Sequence, residues 1–352
     1  MRIPILYTDK FLEHITGPAC PECPERLEVI MRELRRSGLL ETGDYELLEP
    51  RKARVSEVEL VHDRKYVDWI REVCARGGGL VGVYETVVCP SSFEAALYAA
   101  GASIQAAEWV AKGRFKRAVA LVRPPGHHAG RSHARGYCVF NNMAIATKHI
   151  VEKLGVKRAA IIDIDAHHGD GTQGFFYDTD RVLYASLHQD PTIFPGRGFE
   201  DEVGFGEGRG FNLNIPLPFL TGDDIYLRAL ETIVEPVVEQ YRPELILVSL
   251  GCDTHYADPV GRLSLSMVGH VRAFSRIVKL SERTCEGKMA VILEGGYSLA
   301  RVGKMIVADI ALLSGREHEV VDRETKTALR VREKAEKVLK KVRKIQSEFW
   351  EL

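Results

Sequence analysis

The chain has 352 residues, 45% hydrophobic and 28% charged, with a net charge of −1. That length supplies one large core or two smaller ones, and the near-neutral balance gives no electrostatic case for nucleic acid. No apolar run is long enough to span a membrane, no secretory leader is visible, and seven scattered cysteines suit a reducing, cytoplasmic compartment better than a disulfide frame.

In chain order, residues 3–7 form a short apolar run that predicts a strand. Leu27, Ile30, Met31 and Leu34 recur at helical spacing over 24–40, and 95–111 is an Ala-rich helix. His62 falls on an expected helix face. Residues 118–122 (AVALV) read as a buried strand running into RPPGHHAG, with His127 and His128. Residues 159–162 read as a second such strand, running into DIDAHHGDG. A Gly- and Phe-rich loop over 191–210 and an amphipathic helix over 223–240 follow. Residues 245–250 (LILVSL) lead into GCDTH with Asp253; after a helix over 267–283, residues 289–293 (MAVIL) lead into EGGY with Tyr297. Strands alternating with helices predict a doubly wound parallel sheet, whose carboxyl edge is where ligands bind. The tail, 325–352, is charged and helical, with Val331, Ala335, Val338, Val342, Ile345 and Phe349 in an a/d-like stripe. It predicts either a helix docked on its own domain or a homo-oligomer contact.

The strand ends carry the chemistry. Asp165 and His167 are two residues apart in extended chain, so their side chains point the same way. With Asp253 they offer one nitrogen and two oxygens and leave an open position, the pattern of a catalytic zinc site; ferrous iron accepts the same set. His127 and His128 are candidate bases beside a metal-activated water, and Asp163 and Asp170 are spare carboxylates to orient them. Tyr297 offers a hydroxyl to an oxyanion.

RPPGHHAG, GYCVFNN, DIDAHHGDGTQ, SLHQD, GCDTHYADPVG and EGGY, in this order, resemble the histone deacetylase superfamily of metal-dependent amidohydrolases. That superfamily includes acetylpolyamine amidohydrolases and acetoin-utilisation-type proteins. The likeness runs over about 6–315. It implies a single α/β catalytic domain of arginase–deacetylase type over 1–315, with a central, mostly parallel eight-stranded sheet flanked by helices. A charged C-terminal helical extension, 316–352, follows. It implies zinc on Asp165, His167 and Asp253, and dyads His127 with Asp163 and His128 with Asp170, with His128 the main base. Tyr297 is the oxyanion tyrosine. Tyr137 (Phe in most of the family) and Phe194 wall the acyl tunnel, and the Gly136 carbonyl meets the substrate amide. A structural potassium ion falls on Asp163, Asp165, His167, Ser186 and Leu187. Arg26 matches an arginine lining an internal acetate channel. The substrate is acetyl-lysine or an acetylated small amine, released with acetate.

Departures bear on specificity. Cys20-Pro21-Glu22 replaces a usual His-Pro-Glu, on what reads as an outer loop. Val260 stands where polyamine-selective relatives place a glutamate, whereas Glu85 is an acid near the tunnel mouth. These cues leave acetylpolyamine as an alternative substrate. His255 is a possible extra ligand, and Cys20 with Cys23 is a lone CxxC. A two-manganese ureohydrolase needs carboxylates where this chain has Gly169 and His255. A non-catalytic sensor of acetylated ligands is the remaining rival; such a sensor is expected to lack the tyrosine or a dyad, and all are present.

Overall fold

The long apolar runs become strands of one sheet. The computed structural model describes residues 2–82 and 85–352. Its strands are β1 (Ile3–Leu6), β2 (Tyr45–Leu48), β3 (Gly79–Leu80), β4 (Val87–Val88), β5 (Arg117–Ala120), β6 (Ala159–Asp163), β7 (Val182–Gln189), β8 (Asn212–Leu217), β9 (Leu245–Leu250) and β10 (Met289–Leu293). β3 and β4 pair as a separate antiparallel ribbon. The other eight form a sheet in the order β2-β1-β5-β10-β9-β6-β7-β8, with every pairing parallel. The central strands are buried along their whole length, as strands covered on both faces must be.

The helices are α1 (Glu25–Arg36), α2 (Val55–Val58), α3 (Arg64–Ala75), α4 (Ser92–Ala111), α5 (Asn142–Lys153), α6 (Asp170–Phe176), α7 (Asp223–Ala229), α8 (Glu235–Tyr241), α9 (Met267–Cys285), α10 (Val302–Leu313) and α11 (Leu329–Gln346). α2 to α6 pack among themselves, and α1, α7, α8, α9 and α10 make a second layer. One apolar core runs through both layers and the sheet. The helix expected over 223–240 widens to a π turn at Leu230–Val234. Pro236, just inside α8, cannot donate to a carbonyl one turn back, and the wider turn absorbs that loss.

The tail helix docks on its own chain, against β8 and α7. Its buried residues are Ala335, Leu339, Val342 and Gln346, not the full a/d-like stripe read from the sequence. The buried set has the same 4,3,4 spacing but is rotated about the helix, so Leu339 and Gln346 turn inward while Val331, Val338, Ile345 and Phe349 reach only the margin. Gln346 Nε2 donates to Asn212 O at 3.2 Å and Trp350 Nε1 to Gly210 O at 2.9 Å.

Candidate metal centre and tunnel

β5, β10, β9 and β6 are consecutive in the sheet. Their carboxyl ends therefore deliver the HH loop, EGGY, GCD and DIDAHHGD segments side by side. Asp165, His167 and Asp253 bring one donor atom each to within 4.8 Å of one another, all buried. Backbone amides aim the carboxylates: Asp165 Oδ1 accepts from His167 N at 2.9 Å, its Oδ2 from Gly295 N at 2.8 Å, and Asp253 Oδ1 accepts from Ala166 N at 2.9 Å. Gly251 and Gly295 make room for this: a Cβ on either would lie 2.2 and 2.5 Å from Asp165 Oδ2.

The donor set suits a divalent cation. His167 Nδ1 faces Asp253 Oδ2 at 2.9 Å and Asp165 Oδ1 at 3.3 Å. Burial, then the Asp165 charge, pushes the Asp253 carboxyl up to about 7. Two buried carboxylates that face one His167 nitrogen favour a positive charge between them, and a divalent cation would supply it. A further buried cluster, Cys252, His270 and Asp309, lies outside the cavity described below.

Each histidine of the HH pair has its own carboxylate. His127 Nδ1 lies 3.1 Å from Asp163 Oδ2, and His128 Nδ1 lies 2.7 Å from Asp170 Oδ1. The ring centroids are 4.0 Å apart, yet their surroundings differ. Burial opposes charge on His127, but Asp165 and Asp163 outweigh it and hold the ring well above its ordinary pKa. Burial, then the charge on His127, holds His128 down to about 4. The carboxylates thus favour charge on one ring, and burial disfavours it on the other. Glu294 Oε2 fixes the loop between β5 and this pair by accepting from Gly126 N and His127 N at 2.7 and 3.1 Å.

Of these groups His128 and His167 open onto a cavity of ≈ 310 Å³, which Gly136, Tyr137, Phe194, Val260 and Tyr297 also line, with Glu85, Gln189, Ile193, Phe219 and Arg262 on its walls. Phe194 stands edge-on to His128 and His167, at 4.9 and 5.8 Å between ring centroids. Tyr137 meets Tyr297 edge-on at 5.6 Å. Gly136 and Tyr137 are the centre of a tight hairpin turn between Arg135 and Cys138, with φ of 55° and 65°. That turn needs positive φ at both positions, which a tyrosine adopts only when held. Glu85 Oε1 accepts from Gly136 N at 2.7 Å and Thr86 Oγ1 from Tyr137 N at 3.1 Å. Position 136 must also be bare, because a Cβ there would lie 2.3 Å from the His128 ring.

Ser186 and Leu187 sit beside these residues on β7, where Ser186 is the register partner of Asp163. Two expectations need correction, and the possible ligand His255 turns elsewhere. His255 points away from the metal cluster: Nε2 meets Asp322 Oδ2 at 3.0 Å and Nδ1 accepts from Ala257 N at 3.0 Å. His62 lies between α2 and α3, not on a helix face, with Nδ1 2.9 Å from Gly130 O and Nε2 accepting from Asn141 N at 2.8 Å. Cys20-Pro21-Glu22 is not merely outer loop. Glu22 is fully buried and takes a two-point contact from Arg123, at 2.5 and 2.8 Å, and one from Arg26 at 3.0 Å. Burial alone would raise its carboxyl; Arg123, then Arg26, hold it at about 2. Arg26 in turn donates to Gly296 O and Glu294 O, and its guanidinium lies 4.8 Å above the Tyr297 ring.

Two residues at the site escaped the sequence reading. Asp258 accepts from four backbone amides: Val260 at 2.9 Å and Gly261 at 3.1 Å on one oxygen, Tyr297 at 2.7 Å and Ser298 at 3.0 Å on the other. Arg135 donates to Asp170 Oδ2 at 3.1 Å and lies 4.8 Å over Phe194. Only the general rule that a loop acid satisfies nearby amides pointed toward Asp258.

The two extra carboxylates that a two-manganese ureohydrolase needs are missing, and the structure has no room for one at position 169. A Cβ at Gly169 would lie 2.6 Å from Asp163 Oδ2 and 2.7 Å from the Tyr184 hydroxyl, and His255 is engaged elsewhere.

Residues 20–313 match the histone deacetylase domain. The chain is 42% identical over 295 residues to a probable deacetylase of Archaeoglobus fulgidus, covering 84% of this chain and 81% of that protein. It is 38% identical over 302 residues to a histone deacetylase-like amidohydrolase of Pseudomonas aeruginosa, covering 86% and 78%. Its structure is similar to the crystal structure of the HDA15 HD domain, with a TM-score of 0.88 and 32% identity, over 99% of this chain and 96% of that one. With the strand-end cluster, the two dyads and the tunnel above it, these likenesses make the chain a member of the histone deacetylase family.

Proposed function

We propose that the chain is a zinc-dependent deacetylase that hydrolyses the amide of acetyl-lysine or of an acetylated small amine. One observation carries the reading: two histidine–carboxylate dyads and a tyrosine converge on a buried three-ligand cluster at the floor of an apolar tunnel. Asp165, His167 and Asp253 would hold zinc, and ferrous iron would suit the same donors. When bound, that cation supplies a Lewis acid and lowers the pKa of water.

The chain's own residues supply the rest. Tyr137 and Phe194 confine the acyl chain, and the Gly136 carbonyl accepts from the amide N–H. His128, held neutral with Nδ1 turned to Asp170, takes the proton of the attacking water on Nε2. The water oxygen bonds to the acetamide carbon, and Tyr297 donates its hydroxyl to the oxyanion. The C–N bond then breaks, the proton passes from His128 to the departing nitrogen, and amine and acetate leave. His127, kept charged by Asp163 and Asp165, stabilises negative charge nearby. Asp163, Asp165, His167, Ser186 and Leu187 would hold a potassium ion, which would brace β6 against β7. Seven free cysteines support a cytoplasmic setting.

The test is acetate release from an acetyl-lysine peptide by zinc-reconstituted protein, with Asp253→Ala as the blank. Zinc-dependent turnover that the blank lacks supports the reading; equal rates in the two proteins refute it.

A further inference from the structure

Among the described residues, the tunnel mouth carries one cation that forms no ion pair. Arg262 lies on the cavity wall and is exposed. Its backbone is pinned on both sides: its N–H donates to Gln189 Oε1 at 2.7 Å, and its carbonyl accepts from Leu220 N at 2.8 Å. The base of the side chain is therefore fixed at the rim, while among the described residues its guanidinium forms no ion pair or hydrogen bond. The remaining rim is largely apolar: Ile193 is 82% exposed, Val260 and Phe219 line the wall, and Leu220 beside them is 63% exposed. The acid on this wall, Glu85, already accepts from Gly136 N with Oε1 at 2.7 Å. A guanidinium presents a fork of donors suited to a carboxylate.

We infer that Arg262 selects acetylated amines whose head group carries a carboxylate. This rests on the deacetylase reading. A carboxylate leaving the mouth meets an unpaired guanidinium. A second ammonium, as in an acetylated diamine, meets the same charge with repulsion; Val260 offers it no acid, and Glu85 across the wall has one oxygen held by Gly136 N. Free ω-acetamido acids and acetyl-lysine flanked by acidic residues share this chemistry.

The experiment compares three substrates of equal chain length on the zinc-loaded full chain: 6-acetamidohexanoate, N-acetylcadaverine and the uncharged N-pentylacetamide. The expected order of kcat/KM is carboxylate, neutral, ammonium, with about tenfold between the ends at low salt. Arg262→Ala should bring the charged substrates to within about threefold of each other and leave the neutral one within about twofold of wild type. Arg262→Glu should reverse the order, and 0.5 M salt should narrow every gap. Acetyl-lysine peptides with Glu or Lys neighbours then separate the two sources: faster turnover of the Glu peptide than of the free acid assigns a peptide, and the converse a free acid. Turnover of all three substrates in an order that Arg262→Glu leaves unchanged overturns the inference alone. Absence of turnover in every arm overturns the deacetylase reading, and the inference falls with it.

Discussion

Asp258 is the sharpest place to test how the tunnel loop is built. Its carboxylate satisfies four backbone amides, two from its own loop and two at Tyr297 and Ser298. In Asp258→Asn one oxygen remains and an NH2 group faces two N–H donors, so two charge-assisted hydrogen bonds are lost. At about 1.5–3 kcal/mol each the ceiling is about 3–6 kcal/mol, and loop relaxation should bring the measured loss to about 3 kcal/mol. Tyr297 would shift with its backbone, and a displacement near 1 Å costs about 10²-fold in rate. Urea unfolding measures the first effect and kcat on an acetyl-lysine peptide the second. The decisive arm is a double-mutant cycle. Tyr297→Phe alone should lose about 3 kcal/mol of transition-state stabilisation, by analogy with a removed oxyanion donor. If Asp258 acts by placing that hydroxyl, adding Asp258→Asn to Tyr297→Phe costs little further rate. Additive losses, or a wild-type kcat in Asp258→Asn, refute the argument.

Three other outcomes are expected. His62 spends both ring nitrogens on Gly130 O and Asn141 N, and burial holds its folded pKa at about 4 against an ordinary 6.5. The unfolded chain therefore binds a proton first as pH falls. Stability from this ring is complete above about 6.5 and drops by about 3 kcal/mol as pH falls to 4; His62→Gln should flatten the stability–pH slope by about one proton, and an unchanged slope counts against the assignment. Gly136→Ala drives a methyl into the His128 ring and should lower kcat/KM at least about tenfold with a modest change in Tm; full activity would show that the turn yields. Dialysis against a chelator should abolish acetate release and lower Tm, and one equivalent of zinc per chain should restore both; a requirement for two equivalents contradicts a single cluster.

Much of the site was legible because its residues follow long apolar runs. Alternation of strand and helix placed His127, Asp165, Asp253 and Tyr297 at strand ends, and the sheet order makes those ends neighbours. What stayed hidden depends on pairings across long stretches of chain. Arg123 reaches Glu22 and Arg135 reaches Asp170, and no local pattern marks such partners. The direction of His255 and the place of His62 between helices were hidden for the same reason, since they are set by Asp322, Gly130 and Asn141. The tail shows another limit: heptad spacing in a short helix does not distinguish a supercoil seam from a face docked on a sheet.

The strand order also bears on how the chain is made. β10, last of the ten strands to leave a ribosome, lies between β5 and β9. Until it arrives, β2-β1-β5 and β9-β6-β7-β8 cannot join, and each partial sheet ends in a raw edge at the future centre of the protein. Such edges attract other strands, so stalled or truncated chains ending before residue 289 should self-associate. The same late insertion brings Tyr297 in last, so no shorter product carries the complete set of strand-end groups.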